Sequence, residues 1–163
     1  MSAKGIRDID VIRTFVLQGT LNFTRYFFKI RQKRKFVIGK HHREIAAALD
    51  KVLCGEITRL IINIAPRYGK TELAVKNFIA EGLAINPKAK FIHLSYSDDL
   101  ARDNSRGVQD IINEPEYRRI FPATIPTSTN TKKWYTTEGG GLYAVSSAGQ
   151  VTGFGAGVVD EEE

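Results

Sequence analysis

Apolar residues recur at helical spacing through the first third of the chain and then gather into short continuous runs. Two amphipathic stretches, 6–17 and 21–30, are interrupted around Gly19. Ile45, Leu49, Val52 and Leu53 share one helical face, and Gly55 suits the turn that ends such a helix. The run 60–64, rich in isoleucine, reads as a strand buried on both faces. Residues 70–85 return to helical character and stop at Asn86-Pro87. A second strand is predicted over 91–96, and a helix over 98–112 with Ser97 or Asp98 as N-cap. Strand, helix, strand, helix predicts an α/β fold with a parallel sheet and flanking helices. After Pro115 proline, serine and threonine dominate; 134–137 and 142–147 then read as a hairpin around Gly139-Gly140-Gly141.

The candidate chemistry lies where the first run meets a helix, in 61-IINIAPRYGKTEL-73. A strand, a turn and a helix N-terminus together direct backbone N–H groups and a positive dipole end at one point, which suits phosphate. In a G-x-x-x-x-G-K-[ST] loop the lysine reaches the β- and γ-phosphates and the hydroxyl holds Mg²⁺. Lys70 and Thr71 occupy those places, and Gly69 allows close backbone approach. The first glycine of the pattern is replaced by Ile64, so the chain is expected to turn into the loop without positive φ. Pro66 offers no N–H, which leaves Arg67, Tyr68, Gly69, Lys70 and Thr71 as the cradle. Arg67 adds a fixed positive charge suited to a phosphate oxygen or to transition-state charge. The alternative is a solvent-exposed helix N-terminus with a chance Gly-Lys-Thr.

Composition narrows the partners only slightly. The chain has 163 residues, 42% hydrophobic and 26% charged, which fits a globular domain. Its net charge of +6 suits a polyanion or simply solubility. Between 25 and 43 there are eight Lys or Arg and no acid, read either as a solvated face or as a phosphate-backbone contact. Tyr26, Phe27 and Phe28 beside it are expected to anchor this segment to a core. The single cysteine, Cys54, leaves no internal disulfide. No apolar run approaches the ~20 residues of a membrane span. His41 and His42 are adjacent, so on a helix they point about 100° apart, unlike the i, i+4 pair of a zinc helix.

The blocks 41-HHREIAAALDKVLCGEITRLIINIAPRYGKTELA-74, 91-FIHLSYSDDLARDNSR-106 and 150-QVTGFGAG-157 together resemble the large terminase subunit of tailed bacteriophages. That family carries a deviant loop P-R-x-G-K-[ST], matched by Pro66-Arg67-Tyr68-Gly69-Lys70-Thr71. The resemblance covers roughly residues 20–157. It implies a P-loop NTPase (RecA-like) sheet and an ATP- and Mg²⁺-dependent motor that drives double-stranded viral DNA into a capsid. It also implies a portal and a small terminase subunit as partners, a ring homo-oligomer, and action in the cytoplasm of a bacterial host. Arg67 and Lys70 take catalytic places by this resemblance, and Thr71 the magnesium place. His42 lies near the family's adenine contact, and Arg106 is a candidate for an arginine acting in trans. Arg102 and Arg106 also have Asp98, Asp99 and Asp103 as near partners.

The resemblance implies two units, a basic helical segment over 1–38 and a P-loop ATPase domain over 39–163. The family's ATPase also needs an apolar strand ending in Asp, and 157-GVVDEEE-163 offers only Val158 and Val159 before Asp160. Residues 160–163 are therefore expected to be a variable loop, with the sheet incomplete at the C-terminus and the nuclease absent. On that expectation this chain alone does not sustain hydrolysis. Two alternatives stay open: another P-loop nucleic-acid motor of helicase type, or a nucleotide- or DNA-binding remnant without turnover.

Overall fold

The computed structural model describes residues 8–147. Helices α1 (Asp8–Val16), α2 (Thr20–Gln32) and α3 (Lys40–Leu53) come first. A long helix then opens at Lys70, passes through a π-helical segment (Glu72–Asn77) and continues as α4 (Phe78–Ile85). Strand β1 (Lys90–Ser95), helices α5 (Asp98–Asn113) and α6 (Pro115–Ile120), and strands β2 (Lys133–Tyr135) and β3 (Gly141–Ser146) follow. The breaks fall where the sequence places them. Gly55 takes a left-handed φ of 76° just past α3, and the Ser97 hydroxyl accepts the Leu100 N–H at the start of α5. Helix α6 has Pro115 in its first turn, a helix-start signal hidden within a stretch that reads as loop.

The sheet has the order β1-β3-β2. β1 pairs with β3 in parallel, from Lys90 opposite Gly141 to Ser95 opposite Ser146. β2 and β3 form the expected hairpin, with Trp134 opposite Leu142. The run 60–64 differs from its expectation. It forms no strand and joins no ladder among the described residues. Leu60, Ile62 and Ile64 pack on Ile45, Leu49 and Leu73, whereas Ile61 is 86% exposed. A continuous apolar run carries no information about which strand will pair with it, so burial on one face only was not legible.

The larger core joins α1 and α2 to α4, α5, α6 and the hairpin through Val16, Phe23, Phe27, Leu83, Ile111, Tyr117 and Trp134. Phe27 is fully buried and Tyr26 donates its hydroxyl to Glu116 Oε1 at 2.7 Å, so both anchor α2 as their position suggests. The Tyr117 hydroxyl donates to the Ala80 carbonyl and the Trp134 indole N–H to Ser105 Oγ, which satisfies the polar ends of two buried aromatics. Gly82 packs closely on Phe91: a Cβ there would lie 2.5 Å from the ring, which would have to shift.

Polar groups also enter this core. Thr20, Thr24, Asn77 and Glu81 are buried, and one oxygen of each lacks a hydrogen-bond partner. Burial pushes the Glu81 carboxyl up to about 8; the nearby Thr20 hydroxyl opposes this and the charge of Asp50 adds to it. The folded chain therefore holds a proton on Glu81 that the unfolded chain releases near its ordinary 4.5. Stability from this group is greatest below that ordinary value and falls as pH rises towards about 8. Thermal melts of the wild type should lose on the order of 1 kcal/mol per pH unit across that window. Glu81→Gln should flatten that decline; an equal slope in both proteins contradicts the assignment.

Candidate nucleotide-binding site

The 65–71 loop lies between the apolar 60–64 run and the long helix. Its turn is made by Pro66 followed by Arg67, which adopts φ 67°. The chain thus reverses with a left-handed residue after all, displaced from the missing glycine to an arginine. A turn with proline second and positive φ third normally takes Gly or Asn in that third place. Non-glycine residues held there cost energy and mark functional sites. Gly69 is the second left-handed residue, at φ 73°, and the helix starts at Lys70. The loop residues Pro66, Arg67, Gly69, Lys70 and Thr71, with Ile64, Ala65 and Glu72, line a cavity of about 440 Å³. All except Ile64, Gly69 and Glu72 are exposed.

Two features of this helix N-terminus were not legible in the sequence. The first is its π-helical second turn. The Phe78 N–H reaches the Leu73 carbonyl five residues back, and the Asn77 amide donates to the Glu72 carbonyl and to Glu72 Oε1 at 2.8 and 3.0 Å. A buried side chain that caps a carbonyl inside the helix explains the widened turn, and such turns are frequent at functional sites. The second is Glu72 itself, whose Oε1 accepts from Arg31 Nη1 at 2.8 Å. Arg31 thereby leaves the basic run: its side chain is 10% exposed, while Arg25, Lys29, Lys33, Arg34, Lys35 and Arg43 stay exposed. An acid directly after Gly-Lys-Thr facing a basic helix was the available signal.

A second cavity of about 520 Å³ adjoins the first and shares Arg67, Gly69 and Glu72 with it. Phe28, Phe36, Val37, Ile38, His41 and Tyr68 supply its rings and aliphatic surface, and Arg34 stacks on Phe28 at 5.6 Å. Residues 35–39 run there without helix or strand. His42 stands between this cavity and the loop, 7% exposed. The Gly39 N–H donates to its Nδ1 at 2.9 Å, so the proton resides on Nε2, which donates to the Tyr68 carbonyl at 2.9 Å. Burial holds the imidazole below the usual histidine range, and neighbouring His41 adds to this.

The structure brings Pro66, Arg67, Gly69, Lys70 and Thr71 together around one cavity and sets Tyr68 and His42 at the adjoining one. Arg106 does not line either. It lies on α5 with its side chain 63% exposed, 3.8 Å from Asp103. The Thr-Gly-Phe-Gly-Ala-Gly run and residues 160–163 lie outside the described residues. Among the described residues no group of three or more His, Cys, Asp or Glu is gathered for a metal, and no helix is long and apolar enough to cross a membrane. No protein-family model, curated protein or solved structure matches this chain.

Arg67→Gly should relieve the left-handed strain and raise stability by about 1 kcal/mol. Urea unfolding measures it; a loss of stability of that size would show that the guanidinium has structural contacts outweighing the strain.

Proposed function

We propose that the chain binds ATP with Mg²⁺ and is the ATP-binding portion of a DNA-packaging motor, a large terminase subunit acting in the cytoplasm of a bacterial host. The observation that carries the nucleotide reading is the pair of adjoining cavities at the start of one helix. One is walled by Lys70, Thr71 and a glycine turn, the other by aromatic rings. A phosphate tail and a nucleobase need those two environments side by side. The terminase identity rests on the Pro-Arg-Tyr-Gly-Lys-Thr order and the accompanying sequence blocks.

In this reading Lys70 places its ammonium against the β- and γ-phosphates, and the helix N-terminus adds its dipole. Thr71 offers a hydroxyl at the rim, which suits a metal that arrives on its phosphates and needs only one or two protein ligands. Mg²⁺, when bound, would supply positive charge against the phosphates. Arg67 lines the same cavity, and its guanidinium is within the side chain's reach of the γ-phosphate, where it can stabilise charge. Phe28, Phe36 and Tyr68 enclose the base, with Val37 and Ile38 offering backbone groups to its edge. The exposed cations of 25–43 face the DNA phosphates, the portal and small subunit are further partners, and Arg106 serves a neighbouring subunit in a ring.

Lys70→Ala should weaken Mg-ATP binding by about 2–3 kcal/mol, the scale of a charge-assisted hydrogen bond removed from a partly enclosed site. Isothermal titration of both proteins measures this, and equal affinities would remove the assignment.

A further inference from the structure

His42 is placed to do more than line a cavity. Its two ring nitrogens are both taken up by backbone, Gly39 N–H on one side and the Tyr68 carbonyl on the other, each at 2.9 Å. The Phe36 ring packs edge-on against it at 4.9 Å. The ring also sits against the bare α-carbon of Gly69: a Cβ there would lie 2.9 Å from His42 Nε2. Glycine at 69 is thus required by φ and by this ring at once.

The consequence follows from peptide geometry. The Tyr68 carbonyl and the Gly69 N–H belong to one planar trans peptide and point in opposite directions. His42 lines the base-side cavity but not the loop cavity, whereas Gly69 lines both. A carbonyl drawn to His42 therefore turns the Gly69 N–H the other way, towards the loop cavity. That N–H has no hydrogen-bond partner among the described residues. We propose that His42 is the positioning residue of the phosphate loop: by bridging Gly39 and Tyr68 it aims the Gly69 N–H at the phosphates and couples base-side and phosphate-side walls. This inference rests on the nucleotide reading above.

The bridge needs a neutral ring. Protonated imidazole has two donors and no acceptor, so it cannot take the Gly39 N–H. Burial opposes that protonation. The charged groups around the ring are Arg34 and Lys35 from the 33–39 segment, Arg67 from the loop, Glu72 from the long helix and His41 from α3. Of these only His41 is a second imidazole. Its Nε2 lies 3.1 Å from that of His42, so its own contribution has to be separated.

Two readouts on the full chain test the proposal. Fluorescent-ATP titration with Mg²⁺ at about pH 7.5 should show His42→Phe, which keeps a ring but no nitrogens, binding about tenfold more weakly. His42→Gln offers an amide N–H for the Tyr68 carbonyl and an amide oxygen to accept the Gly39 N–H, and does not titrate. It should bind like the wild type at about pH 7.5 and lack the wild type's loss of affinity in acid, below the usual histidine range. His41→Asn should retain that loss. Wild-type affinity in His42→Phe overturns the proposal. So does a His42→Gln protein that melts like the wild type yet binds as weakly as His42→Phe, or that keeps the acid loss. The second readout needs no nucleotide: ¹⁵N NMR of the free chain should show His42 protonated on Nε2 alone. The Nδ1–H tautomer overturns the bridge itself. A wild type that binds no Mg-ATP at either pH overturns the nucleotide reading and the role built on it, while the tautomer still reports whether the bridge exists.

Discussion

One carboxylate sets the position of the whole loop. Glu72 stands one residue past the Gly-Lys-Thr sequence and is shared by Arg31 from α2 and Asn77 from the next turn of its own helix. Lys76 adds a looser ion pair at 4.0 Å. A largely enclosed carboxylate is costly unless its oxygens are paired, and here two donors meet the same oxygen. The pairing fixes the first turn of the long helix against α2 and keeps Arg31 from the solvent. Asn77, drawn back to the Glu72 carbonyl, holds the π-helical turn open. The loop that precedes these residues has little freedom left.

That helix is also the spine between the two apolar clusters. Leu73 belongs to the smaller one, under α3 and the 60–64 run, while Ile79, Ala80 and Leu83 belong to the larger one, and Phe78 touches both. The loop is therefore carried at the junction of two packed bodies. From one side it is held by Glu72, from the other by His42 at the Tyr68 carbonyl. Between these ties the backbone adopts two left-handed residues, Arg67 and Gly69. Strain of this kind persists only where the surroundings over-determine it, and here they do.

Much of this was legible in the sequence, and the reasons for the rest are physical. Helices with a strong apolar period, such as α3 and α5, and their breaks at Gly55 and Asn86-Pro87 follow from local rules. The hairpin follows from its glycine run. Pairing does not: nothing within 60–64 indicates that its Ile61 face stays open, or that β1 pairs with β3 rather than with that run. Helix α6 was hidden because its Pro115 reads equally as the start of a loop. The site's glycine, lysine and threonine were visible as a motif. Their supports were not, because Arg31–Glu72 and His42–Tyr68 join residues far apart in sequence whose pairing only the fold determines.

In the proposed function the 65–71 backbone itself receives phosphate. Backbone ¹⁵N–¹H spectra recorded while Mg-ATP is added report on it directly. The amide signals of Gly69, Lys70 and Thr71 should move together and saturate, with those of 35–39 following as the base enters its cavity. Signals of 65–71 that stay still at saturating nucleotide, or shifts confined to another surface such as the exposed face of α5, would contradict it.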